Sequence, residues 1–117
     1  MAQYVPHGWP DDVQPPGSEG WEATAVRWLL DLVPEYRQYV MVCRHPVILA
    51  SIARHVIHGS VQGARDGYRT VRTELVEHAP PHAVDAALKA YRDEGRRLAT
   101  AERAVDLVER ALRGEVI

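Results

Sequence analysis

The chain is 117 residues long, enough for one hydrophobic core and too short for two ordinary ones. Asp and Glu number 16 against 14 Lys and Arg, a formal net charge of −2, so bulk electrostatics demand neither a nucleic acid nor an anionic membrane as partner. No apolar run approaches the roughly 20 residues that span a bilayer, and the start lacks the basic-then-apolar layout of a secretory signal, so a cytoplasmic location is expected.

The only lysine is Lys89, and alanine is abundant, a composition typical of GC-rich coding genomes that leads us to expect a bacterial origin. Cys43 has no second cysteine to pair with, and in Met41-Val42-Cys43 it reads as a small hydrophobe rather than a reactive thiol.

Met1 to Ser18 holds Pro6, Pro10, Pro15 and Pro16 with Gly8 and Gly17, which excludes a helix or a central strand and predicts an extended arm. Its apolar residues Tyr4, Val5, Trp9 and Val13 are too many for a solvated tail. The arm is therefore expected to bury Trp9 against a surface, either that of its own helices or that of another protein, with Tyr4, Trp9 and Val13 as the contact residues.

Residues 19–117 read as a single all-α domain. Trp21, Ala25, Trp28, Leu29 and Leu32 recur at the three-and-four spacing of one buried face, which predicts a first helix over about 19–33. Pro34 ends it and suits the first position of a second, shorter helix over about 34–43. His45-Pro46 restarts the pattern. Leu49, Ile52, Ala53, Val56, Gly59, Gly63, Gly67, Val71 and Leu75 trace one stripe and predict a third helix over about 46–78. Ala79-Pro80-Pro81 breaks it. Val84, Leu88, Tyr91, Gly95, Leu98, Val105 and Leu112 then predict a fourth helix over about 81–113, with Glu102 and Glu109 as imperfections in its stripe.

Gly59, Gly63 and Gly67 are four apart, and each helical glycine costs about 1 kcal/mol against alanine, so close approach of a neighbouring backbone is the expected compensation. With Pro80-Pro81 at the tip of an antiparallel hairpin, Gly95 falls opposite Ala64 or Gly63, which predicts a narrow waist. The alternative, a break at His58-Gly59-Ser60, is disfavoured because Val56, Ser60, Ala64 and Val71 keep helical phase across it. Two helices of this length present more apolar stripe than two short helices and an arm can cover, so a homodimer completing a bundle is expected.

His55 and His58 lie on one side of the third helix, and the register sets Glu102 across from His58, three candidate metal ligands. No Glu-x-x-His pair or zinc-type spacing supports them, so solvated or packing histidines are the expected reading and no cofactor is assigned. Arg54, Arg65, Arg69 and Arg72 share a face of the third helix and Lys89, Arg92, Arg96, Arg103 and Arg110 recur on the fourth, but Asp66, Asp85, Asp93, Glu94, Asp106 and Glu109 are interspersed, so a nucleic acid is not the expected partner. No nucleophile, base or phosphate loop is recognisable, and no catalytic residue is assigned. Two readings of function follow. One is a non-enzymatic protein–protein interaction module, homodimeric, with room for a second protein as partner. The alternative is a small-ligand- or metal-binding bundle with its site beside the Gly59/Gly63/Gly67 waist.

Overall fold

The computed structural model describes residues 4–117, which form helices and connecting turns with no strand among them. The order is α1 (Trp21–Leu32), a 3₁₀ turn (Pro34–Gln38), α2 (Val40–Arg44), α3 (Pro46–Leu75) and α4 (Pro81–Leu112). The last two, of 30 and 32 residues, run antiparallel against each other and dominate the molecule.

Prolines set three of the boundaries. Pro34, Pro46 and Pro81 each occupy the first turn of a helix, where a missing N–H costs nothing. His45, ahead of Pro46, takes φ −120° and ψ 87°, the non-helical geometry that a following proline imposes. At the other end, Gly114 adopts a left-handed φ of 84°, its N–H donates to Ala111 O, and Glu115 N–H reaches back to Arg110 O. These paired bonds satisfy carbonyls that the last turn of α4 leaves free.

Two expected boundaries are corrected. The second helix is not continuous from Pro34, because Tyr39 is extended (φ −97°, ψ 90°) and divides a 3₁₀ turn from the short α2. β-Branched Val40 and Val42 give such a short segment little helix propensity, and the rings of Tyr36 and Tyr39 meet across the break, 5.7 Å apart. The third helix closes at Leu75 rather than His78, since His78 and Ala79 both donate to Leu75 O in a terminal turn.

The core sits at one end of the hairpin. Trp9 and Val13 of the arm join Trp21, Ala25 and Leu29 of α1 and Val33 against Leu49, Ala53 and Ile57 of α3 and Val105 and Val108 of α4. This cluster reaches along the hairpin only to Ala64 and Leu98. Beyond it Val71 and Val84 are buried outside that cluster, while Leu75 and Val76 are exposed. The molecule measures 56 × 33 × 18 Å with a radius of gyration of 17.4 Å, against about 13 Å for a compact chain of this size.

Candidate functional site

The arm is part of the core. The Trp9 indole Nε1–H donates to Val13 O at 3.0 Å and to Gln14 O at 3.3 Å, so the arm closes into a loop around its own tryptophan. The Trp9 ring lies 5.9 Å from that of Trp21, and Gln14 N–H donates to Thr24 Oγ1, fixing the loop to α1. Of the three arm residues expected to make contacts, Trp9 and Val13 are buried within this chain, whereas Tyr4 is exposed.

The glycines divide into two kinds. A Cβ on Gly95 would stand 3.9 Å from the Ala64 Cβ, ordinary contact, so these two residues do face each other at the waist. A Cβ on Gly67 would overlap the Tyr91 ring, which lies directly on the bare backbone there. Gly59 and Gly63, by contrast, have nothing within 4 Å of where a side chain would begin, and they are exposed. Their expected role in packing α3 against α4 is therefore corrected. A step of four residues advances about 400° around a helix, so each glycine is turned about 40° from the last and only Gly67 comes round to α4.

A groove of about 750 Å³ opens between α3 and α4 beside the Ala64–Gly95 contact. Arg65, Tyr68 and Arg69 line it from α3, and Tyr91, Arg92 and Arg96 from α4, over small floor residues that include Gly95 and Ala99. Asp66 is its single acidic residue among those described and is bonded to Arg69. No single stretch of sequence marks this groove, because its arginines come from two helices and face one another only once the hairpin closes.

Toward the base, a second hollow of about 940 Å³ is lined by His7 and Gly8 of the arm, Arg54, His55 and His58 of α3, and Glu102, Arg103 and Asp106 of α4, among others. The register expectation holds here, with His58 Nδ1 2.8 Å from Glu102 Oε2. His55 lines the same hollow, but among the described residues no group of three or more His, Cys, Asp or Glu is arranged to hold a metal ion. Two ion pairs therefore bracket the groove at the waist, His58–Glu102 below it and Arg72–Asp85, at 3.9 Å, above it.

Glu109, treated above as a flaw in the α4 stripe, is 4% exposed and lies between two guanidiniums: Arg54 Nε donates to Oε1 at 2.6 Å and Arg113 Nη2 to Oε2 at 2.8 Å. Burial pushes this carboxyl up, but the hydrogen bonds from Arg113 and Arg54 outweigh it and hold the pKa below the ordinary glutamate value. The i,i+4 spacing from Glu109 to Arg113 was the one signal available in the sequence.

Cys43 is half-buried, its thiol 3.5 Å from Tyr36 O. None of the helices described is long and apolar enough to cross a membrane. No protein-family model, curated protein or solved structure matches the chain.

Proposed function

We propose that this chain is a non-enzymatic helical interaction module that works as a homodimer, with the face of α3 that carries Gly59 and Gly63 at the centre of the shared surface. The observation that carries the reading is that Gly59 and Gly63 face open space on a long helix. Each lowers helix stability by about 1 kcal/mol against alanine, and among the described residues no neighbour packs on either to compensate. A helix laid on this face would approach the backbone closely, the gain that side-chain-free surfaces provide.

Two further features support it. The arm, α1 and α2 serve the base alone, which leaves the distal rod as two helices with exposed Leu75 and Val76. Ala86 and Ala90 of α4 are exposed there too, small residues that leave room for a neighbour. A second copy supplies a matching rod by symmetry, and two stacked hairpins make a four-helix bundle. A cytoplasmic setting is part of the proposal, consistent with a chain whose single cysteine forms no internal disulfide.

Sedimentation equilibrium tests it. The expected result is a dimer at micromolar concentration that Gly63→Leu converts to monomer while far-UV circular dichroism is retained. A wild-type chain that stays monomeric at tens of micromolar would refute the proposal.

A further inference from the structure

We infer that the waist groove is a binding site for a small phosphate-bearing anion with a planar ring, of the size of a mononucleotide. Four arginines, Arg65, Arg69, Arg92 and Arg96, line one groove with a single carboxylate. That carboxylate, Asp66, is bonded to Arg69. Arg92 has only its chain neighbour Asp93 at 4.0 Å, and Asp93 is held by Lys89 at 2.6 Å. Arg65 and Arg96 have no carboxylate within 4.0 Å among the described residues. Elsewhere on the two long helices Arg54, Arg72, Arg97 and Arg110 have an acidic partner, as does Arg113 just past α4, while Arg103 toward the base bonds only Thr100; the groove thus holds two of the three arginines of these helices that have no carboxylate within 4.0 Å among the described residues.

The chemistry of the ligand follows from the groups that converge there. Guanidiniums present paired N–H donors in a plane that matches phosphate oxygens, and they bind such oxygens in preference to neutral acceptors. Tyr68 and Tyr91 add two part-exposed rings, 45% and 38% exposed, against which a base or other flat ring can lie. The groove's volume of about 750 Å³ falls in the range of small-molecule sites. Its length points the same way, because the His58–Glu102 and Arg72–Asp85 pairs neutralise the hairpin on either side. A long polyanion would meet carboxylates at both ends of its path. Gly59 and Gly63 do not line the groove, so Gly63→Leu tests the dimer surface without replacing a residue of the groove.

Calorimetric titration at low salt with inorganic phosphate, AMP, adenosine and a short oligothymidylate tests the inference. AMP is expected to bind more tightly than phosphate, and adenosine not to bind. The double variant R65A/R96A, checked for unchanged helicity by circular dichroism, is expected to weaken AMP by about tenfold or more, while R37A, in the 3₁₀ turn outside the groove, leaves it unchanged. The Gly63→Leu variant, whatever its oligomeric state, is expected to retain AMP binding. Failure of phosphate and AMP to saturate at millimolar concentration, or wild-type affinity in R65A/R96A, would overturn the inference. So would an oligonucleotide that binds more tightly than AMP with a steep salt dependence, which would make this a nucleic-acid surface instead.

Discussion

Arg54 and Glu109 join the two long helices at the base of the hairpin through a 2.6 Å bond in which the carboxylate is buried and the guanidinium reaches toward solvent. Removing either partner has unequal consequences. Arg54→Met leaves Glu109 with Arg113 alone, whereas Glu109→Gln leaves two arginines that water can still solvate. Hydrogen bonds to charged groups contribute about 1.5–3 kcal/mol each, so Arg54→Met is expected to cost about 2 kcal/mol in urea unfolding, and Glu109→Gln no more than that.

The same carboxylate predicts an acid-sensitive stability. Its folded pKa lies below the ordinary value of 4.5, so its contribution is fully present above that value and is lost as pH falls through the folded pKa. Urea midpoints measured from pH 7 down to pH 3 are expected to fall for the wild-type chain and to fall less for Glu109→Gln. Parallel slopes for the two proteins would contradict the assignment.

Trp9 anchors the arm, so its loss is expected to resemble a core truncation. Trp9→Ala should destabilise by about 3–5 kcal/mol, the range for large aromatic deletions. Deleting residues 1–16 should lower the thermal midpoint and bring the Trp21 emission to longer wavelength, because Trp21 loses the ring beside it. An unchanged midpoint would mean that the arm contributes nothing to its own domain.

The glycine series separates helix propensity from packing. Gly59→Ala and Gly63→Ala meet open space and are each expected to stabilise the isolated chain by about 1 kcal/mol. Gly67→Ala displaces the Tyr91 ring, and is expected to show no gain. Thermal melts at concentrations below the dimer's dissociation constant give the comparison, and equal gains at all three positions would be inconsistent with the Tyr91 contact.

His58 is exposed and Glu102 half-buried, so His58→Ala is expected to change stability by less than about 1 kcal/mol and the residual effect to fade in salt. A larger, salt-insensitive loss would point to a structural role that its exposure does not suggest.

The hairpin was legible because its signals are local and strong. Pro46 and Pro81 mark two helix starts, apolar spacing gives the phase, and the hairpin tip then places Gly95 against Ala64 by geometry alone. The orientation of Gly59 and Gly63 was less so, since a four-residue spacing drifts around the helix and the drift decides which glycine meets α4. Tyr39 offered no warning of the break after Gln38, for neither glycine nor proline stands there. The groove's four arginines were visible as part of a mixed-charge stripe, but which of them stay unpaired was not. Arginines and acids alternate along α3 and α4, and which arginine is left without a partner depends on rotamers and on the facing helix rather than on sequence spacing.

Trp9, Trp21 and Trp28 all sit in or against the cluster at the base of the rod. Indole emission therefore surveys one end of this molecule and is blind to the other, where Tyr68 and Tyr91 stand. Unzipping that starts at the Pro80-Pro81 tip would pass unseen in a tryptophan-monitored melt, and amide exchange along Thr70–Leu75 and Val84–Lys89 is where it would first register.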